Sequence, residues 1–293
     1  MALLTLGPAG TFSERAAQVY LRQHPELGDM EFESSLPRVL QQLQRPQADK
    51  ADAATCLHAI VPLENLVEGF VSPVLDGLLN QAQPATDSAQ LFIVDELRIP
   101  VQFSLAATSQ APTKLYAQFV AQGQCTKALE QYQWPRITTA SNAETVQKLL
   151  ADNAAAALVP SHTEAELTKQ GVQILASDIA DTADNATRFV VLAHRPAHLE
   201  KQANTPYKTS LLLIDNDDHP GYLAKCLQIL ALFNVNLTSI VSRPTGAGFG
   251  QYHFFIDCDG HQTDADLAQA LAGLRRFNDL IILGSYPSAS IRL

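Results

Sequence analysis

From Leu3 to Leu192 the chain alternates short apolar, β-branched runs with longer amphipathic stretches, and this alternation limits the possible folds most sharply. Apolar runs of about 4–8 residues bounded by turn residues read as buried strands, and a period near 3.6 reads as a helix packed on them. Leu3–Leu6 is such a strand, and a helix follows from about Glu14 to Arg22. Leu36–Leu43 reads as a helix, Ala59–Val61 as a strand and Val71–Leu79 as a helix. Leu91–Ile99 reads as a long strand crossing into another lobe, where Phe103–Ala107 is a strand and Leu115–Tyr132 has a helical period. Strands beginning at Ile137, Ala154 and Val172 then alternate with helices over Ala143–Leu150 and Glu164–Lys169. Repeated βα units imply parallel sheet with helices on both faces. The expected class is α/β: one lobe over about 1–95, a second over about 96–178, and a return over 179–194 that rejoins the first.

The polar stretch 195–207, with two prolines, reads as a linker. Beyond it, 208–293 has the order βαββαβ. Its strands fall at Thr209–Ile214, Val235–Val241, Gln251–Ile256 and Asp279–Tyr286, and its helices at Tyr222–Phe233 and Asp264–Arg276. That order is a ferredoxin-like unit. The acidic run Asp215–Asp218 lacks calcium-loop spacing and reads as a solvated turn.

Composition narrows the partners. The 293 residues carry 20 Lys+Arg against 30 Asp+Glu, a formal charge of −10. Such a field argues against nucleic acid or an anionic membrane as the main partner, and an anionic substrate would need a local basic pocket. Cys56, Cys125, Cys226 and Cys258 form no CxxC pair and read as reduced, buried thiols of a cytoplasmic protein. Ala2–Leu6 has no basic flank and meets Gly7-Pro8, so it reads as a first strand and not a signal peptide. No apolar stretch has the length of a membrane span.

Three stretches place polar groups at strand ends, where α/β proteins put working side chains. Gly7-Pro8-Ala9-Gly10-Thr11-Phe12-Ser13 joins a strand to a helix N-terminus, with Thr11 or Ser13 as the cap. It serves equally as an anion site, through its free N–H groups, and as a plain tight turn. It is not GxxxxGK[ST], so no nucleotide is implied. After Ala59–Val61 come Glu64 and Asn65, which can orient a substrate hydroxyl or simply cap a helix. Thr187-Arg188-Phe189 precedes the apolar run Val190–Leu192. Arg188 is a planar fork for a carboxylate and Thr187 a hydroxyl beside it. Taken alone, a strand start with a solvated arginine is the plainer reading. A returning segment on the wall of a cleft between lobes strengthens the functional one.

Taken in order, these motifs resemble the prephenate dehydratase family over nearly the whole chain. The stretch 7–13 looks like its opening motif, Val61-Pro62-Leu63-Glu64-Asn65 with Glu68-Gly69 its second, and Asn185-Ala186-Thr187-Arg188-Phe189 its signature. The C-terminal unit resembles an ACT domain, with Pro220-Gly221-Tyr222-Leu223 and Asn236–Pro244 as its effector-binding stretches. The resemblance implies a two-lobed, periplasmic-binding-protein-like catalytic domain over 1–194 and an ACT domain over 208–293. With the opening motif at Gly7, no N-terminal chorismate mutase domain is expected. The implied reaction needs no cofactor: prephenate loses its ring carboxylate as CO2 and its hydroxyl as water, giving phenylpyruvate. Thr187 would help the hydroxyl leave, Arg188 would hold a carboxylate, and Glu64 and Asn65 would position the hydroxyl end. Gly10, Thr11, Ser13, Gln124, Ser141 and Phe189 would line the substrate, although Phe189 is better suited to packing. Gly221, Tyr222, Leu223, Asn236, Leu237, Thr238, Ser242 and Arg243 would bind L-phenylalanine, with ACT domains pairing into a homodimer or homotetramer.

Some positions depart from the family pattern. Leu66 stands where a hydroxyl residue is usual, Ala117-Gln118-Phe119-Val120 replaces Ser-His-Pro-Gln, and Tyr222 and Val241 replace alanine and glutamate. Two other readings stay open: a dehydratase acting on arogenate, and a non-catalytic sensor or binding protein for a small acid, which two α/β lobes and a regulatory unit also fit.

Overall fold

The computed structural model describes residues 2–45, 57–82, 90–196, 201–214, 220–246, 248–277 and 279–289. Cys56, the acidic run 215–218 and linker residues 197–200 lie outside them. The first lobe begins β1 (Ala2–Leu6), α1 (Phe12–Gln23), β2 (Asp29–Glu33), α2 (Leu36–Gln44), β3 (His58–Asn65), β4 (Gly69–Phe70), α3 (Ser72–Leu79), β5 (Phe92–Pro100). The second holds β6 (Phe103–Ala107), β7 (Lys114–Gln118), α4 (Phe119–Gln124), α5 (Thr126–Leu129), β8 (Arg136–Thr139), α6 (Asn142–Ala151), β9 (Ala155–Pro160), α7 (Glu164–Lys169), β10 (Gln173–Ala176). The chain returns as β11 (Ala186–Ala193), which lies between β3 and β5 in the sheet order β2-β1-β3-β11-β5. The second sheet runs β10-β6-β9-β7-β8.

β1, β2 and β3 are parallel, whereas β11 is antiparallel to both β3 and β5, and β6 is antiparallel to β9 and β10. The sheets are therefore mixed, not purely parallel as the βα alternation implied. The stretch 115–132 is also not one helix. Leu115 and Ala117 point inward at period two while Lys114–Gln118 pairs with β8 and β9, and only then do α4 and α5 begin. β2 escaped the sequence reading because it is an edge strand of mostly exposed residues.

The C-terminal unit is β12 (Tyr207–Ile214), α8 (Tyr222–Leu232), β13 (Leu237–Pro244), β14 (Tyr252–Asp259), α9 (Ala265–Leu274) and β15 (Asp279–Pro287), in the order β13-β14-β12-β15. Its residues alternate cleanly between two faces. Leu211, Leu213, Ile256 and Cys258 meet α8 and α9. Leu212, Ile214, Phe255 and Leu283 join one core with Leu63, Val74, Leu75, Val190 and Leu192 of the first lobe. Full burial of such side chains contributes about 1.5–3 kcal/mol each. The C-terminal sheet is thus packed face to face on the first lobe. The approach is closest at Gly284, where a Cβ would stand 2.0 Å from the Ile93 carbonyl oxygen of β5. Only glycine fits there.

Among the described residues no helix is long and apolar enough to cross a membrane. Cys125, Cys226 and Cys258 are buried and form no disulfide among the described residues, and burial pushes Cys125 and Cys258 up to about 12.

Candidate functional site

Successive residues of a strand point to opposite faces. In β11 this separates the four residues nominated for catalysis. Thr187 pairs with Asn65, and Arg188 pairs with Glu64. Phe189 and Val191, two and four residues beyond Thr187, belong to the core under α1. Val190 and Leu192, on the side of Arg188, belong to the core shared with the C-terminal sheet.

On the first face, the Asn65 amide is fixed by its whole hydrogen-bond set. Its Oδ1 accepts from the backbone N–H groups of Val67 and Glu68, both at 3.0 Å. Its Nδ2 donates to the Ala186 carbonyl at 3.3 Å and to Thr187 Oγ1 at 2.9 Å. These acceptors and donors fix which end is nitrogen. Because Asn65 donates to the Thr187 oxygen, the Thr187 proton stays available for another acceptor.

The lobes meet beside this pair. Gln124 of α4 is buried; its Nε2 donates to Glu68 Oε1 at 3.0 Å, and its Oε1 accepts from Asn185 Nδ2 at 3.0 Å. Gln124 thus ties the second lobe to the β3–β4 turn and to the start of β11. Glu68 and Asn185 were not nominated from the sequence, although both stand inside the quoted motifs. Where the lobes face each other, a Cβ on Gly10 would lie 3.5 Å from Ala143 Cβ. Gly10 has φ +86°, a conformation side chains rarely adopt.

The helices at this contact are capped alike. Thr11 Oγ1 accepts from Glu14 N at 3.3 Å, and Glu14 Oε2 accepts from Gly10 N at 2.6 Å. Ser141 Oγ accepts from Glu144 N at 3.1 Å, and Glu144 Oε2 accepts from Ala140 N at 2.6 Å. These are capping boxes shifted by one residue, each glutamate reaching the N–H just before the cap. Gly10 N, Thr11 Oγ1 and Ser141 Oγ, expected to line the substrate, are thus engaged in the caps. What α1 and α6 still present is the partial positive charge and unpaired N–H groups of two helix starts. Ser13 is buried and Phe189 is only 1% exposed, packed in the core under α1.

A cavity of about 270 Å3 opens between the lobes, lined by Phe12, Arg15, Ile99, Gln102, Ser161 and His162. Ile99 is the β5 partner of Thr187. Burial, with Arg15 adding, pushes His162 down to about 4, so it is neutral at pH 7. Arg15 makes no ion pair among the described residues.

The second face tells a different story about Arg188. Its Nε donates to Glu96 at 2.5 Å, Nη1 to Asp257 at 2.5 Å and Nη2 to the Tyr286 hydroxyl at 2.8 Å, with Glu64 at 3.7 Å from Nη1. Lys208 adds contacts of 3.3 Å to Glu96, Ala289 N donates to Glu96 at 3.0 Å, and Ser210 bridges Asp257 and Tyr286. Burial disfavours the charge on Arg188, but Tyr286, Asp257 and Glu96 more than restore it. Burial likewise works against the Glu96 charge, yet Arg188 and Lys208 hold its carboxyl below the usual range. Arg188, expected to clasp a substrate carboxylate, thus has three of its five N–H groups bonded within the interdomain contact. Glu64 likewise faces away from Thr187. It lines a cavity of about 250 Å3 at the domain junction with Leu66, Arg98, Asp184, Arg188 and Thr238. Burial raises its carboxyl, Arg188 offsetting only part.

The residues nominated for an effector are dispersed within one chain. Gly221, at φ +83°, precedes α8. Tyr222 is buried in the C-terminal core and stacks on Phe254, with Leu223 packed against the same core. Asn236 bonds Asp259 at 2.6 Å, Leu237 packs in the core, and Arg243 makes a bidentate pair with Asp76 of α3 at 2.7 and 2.8 Å. Thr238 and Ser242 belong to the edge strand β13.

Residues 3–197 match the family "Prephenate dehydratase" and residues 210–276 match "ACT domain". A curated prephenate dehydratase of Mycobacteroides abscessus is 35% identical, covering 96% of this chain and 88% of the relative. One from Mycolicibacterium vanbaalenii is 32% identical, covering 98% and 91%. The crystal structure of prephenate dehydratase from Arthrobacter aurescens in complex with L-Phe superposes with a TM-score of 0.79 at 31% identity, covering 100% of this chain and 93% of that one. Two α/β lobes joined at a threonine-bearing strand, a ferredoxin-like unit behind them and similarity along the whole length have one reading: the chain belongs to the prephenate dehydratase family and carries an ACT domain.

Proposed function

We propose that this protein is a prephenate dehydratase that converts prephenate to phenylpyruvate, CO2 and water in L-phenylalanine biosynthesis, under control by L-phenylalanine. The observation that carries the reading is the Thr187 hydroxyl, whose oxygen is held by Asn65 and whose proton is left to donate. In the reaction the electron pair of the ring–carboxylate bond enters the ring as CO2 departs. The ring expels hydroxide, which takes a proton and leaves as water. Aromatisation supplies the driving force, so the residues need only bind the dianion and ease the departure of hydroxide. A positioned donor typically contributes about 10²–10⁴-fold. Thr187 fills that role as donor or relay. With Arg188 engaged elsewhere, the positive groups that can receive the carboxylates are the N-termini of α1 and α6 and the Arg15 guanidinium. Glu68, Gln124 and Asn185 hold the lobes in register.

The catalytic unit spans 1–194, a linker 195–207 and the ACT domain 208–293. The protein acts in the cytoplasm as a homodimer or homotetramer. The free edge of β13 offers backbone pairing to a second ACT domain, and an L-phenylalanine site completed by that second copy would account for the dispersal of its residues.

The test is direct. Purified protein should form phenylpyruvate from prephenate, Thr187→Ala should lose most of that activity, and added L-phenylalanine should change the rate. Competing prephenate with arogenate fixes the preferred substrate. Absence of product from the wild-type protein, or an unimpaired Thr187→Ala, overturns the assignment.

A further inference from the structure

Thr187 and Arg188 are adjacent in one strand but belong to different parts of the molecule. Thr187 meets Asn65 on the side of α1, whereas Arg188 is buried, 6% exposed, among groups of the ACT sheet. Three strands of that sheet contribute: Ser210 and Lys208 from β12, Asp257 from β14 and Tyr286 from β15. The first lobe supplies Glu96, which is fully buried. Arg188 and Lys208 balance Glu96 and Asp257, so the cluster is neutral once Glu64, at its half-exposed rim, is set aside. Charge-assisted bonds of this kind are short, directional and costly to break when buried. A guanidinium bonded on three sides cannot rotate or slide along its strand, and the backbone of Arg188 is fixed with it. Thr187 is one peptide away.

We infer that Asp257, with Tyr286, is a positioning residue for catalysis: by gripping Arg188 from the ACT domain it sets the place of the Thr187 hydroxyl in the cleft. This deepens the proposed function and rests on it, since it takes Thr187 as the group acting on the substrate. It also gives the ACT domain a defined path to the reaction. Any rearrangement that shifts β12, β14 or β15 against β5 changes the hold on Arg188, and the next side chain in the strand registers it. Such a path is physical because it joins two elements through one shared strand with bonded groups at both ends.

The experiment uses the full-length protein and prephenate turnover. Asp257→Asn keeps shape but weakens the grip on Arg188. Tyr286→Phe removes one hydroxyl and is the milder second variant, carrying the same test if Asp257→Asn fails to fold. A displaced catalytic group loses rate more than binding, so kcat should fall about tenfold or more for Asp257→Asn, and about threefold for Tyr286→Phe, with KM changed by less than about threefold. In a Thr187→Ala background the same changes should cost nothing further in kcat, because the group they position is gone. Asp76→Asn, which loosens the other interdomain pair, should leave kcat unchanged. A folded Asp257→Asn or Tyr286→Phe with wild-type kcat overturns the inference. So does a loss that persists in full on the Thr187→Ala background, or one that Asp76→Asn reproduces. If Thr187→Ala itself proves unimpaired, the proposed function fails instead, and that result is read independently.

Discussion

Asn65→Asp offers a sharp perturbation, because it inverts one half of a hydrogen-bond set and preserves the other. The Oδ1 side accepts from Val67 N and Glu68 N, and a carboxylate oxygen accepts equally well, so the turn between β3 and β4 should persist. The Nδ2 side donates to Thr187 Oγ1 and to the Ala186 carbonyl. A carboxylate oxygen there would draw the Thr187 proton to itself and face the Ala186 oxygen without a hydrogen between them. Two bonds of about 1 kcal/mol each are lost or reversed. The two backbone bonds that hold the turn remain, which keeps the cost to folding at about 1–2 kcal/mol, within the range of an ordinary substitution. The cost to turnover should be larger. A hydroxyl that donates to its neighbour cannot donate to a departing hydroxide, so most of the about 10²–10⁴-fold from a positioned donor is forfeited. Phenylpyruvate formation under saturating prephenate should fall about 100-fold or more, and KM should rise as well because the new carboxylate repels the dianion. Circular dichroism and a thermal melt confirm folding. A folded Asn65→Asp that keeps kcat within about threefold of wild type refutes the reasoning, because the direction of the Asn65–Thr187 bond would then be immaterial.

Other outcomes follow from the remaining geometry. The Glu64 carboxyl is raised above its ordinary 4.5 by burial, with Arg188 offsetting part. A raised folded value means the folded state holds the proton more tightly, so its contribution to stability is present below the ordinary value and declines as pH rises through the folded one. Glu64→Gln should therefore gain stability relative to wild type between pH 4 and pH 7, read from urea midpoints across that range; a constant difference contradicts it. Gly284→Ala should cost at least the about 1–3 kcal/mol of overpacking, because the new methyl would meet the Ile93 carbonyl, and calorimetry that finds an unchanged Tm would refute the close approach. Asp76→Asn should release Arg243 and tighten L-phenylalanine binding, by up to about fivefold for a half-exposed pair worth at most about 1 kcal/mol. Titration calorimetry that finds equal or weaker binding removes Arg243 from the effector site.

What a sequence can reveal by itself is what neighbouring residues settle between them. The period of Leu3–Leu6, Leu36–Leu43 and Val190–Leu192, a cap at Thr11 or Ser13, the βαββαβ order after residue 207 and the three ordered motifs were all legible because each is a local pattern. The strand Lys114–Gln118 was lost inside a helical reading because its inward pair, Leu115 and Ala117, becomes visible only when β9 and β8 lie on either side of it. The period-two rule also held a warning about Thr187 and Arg188, since two successive strand residues cannot share a cleft. Which of them joins the interdomain cluster was decided by what packs on each side: α1 on one, the ACT sheet on the other. Asp257 and Tyr286 lie 69 and 98 residues from Arg188 along the chain, and no pattern near Arg188 announces them. Sheet-on-sheet packing brings them together, and a guanidinium that looked free in one dimension is bound on three sides in three.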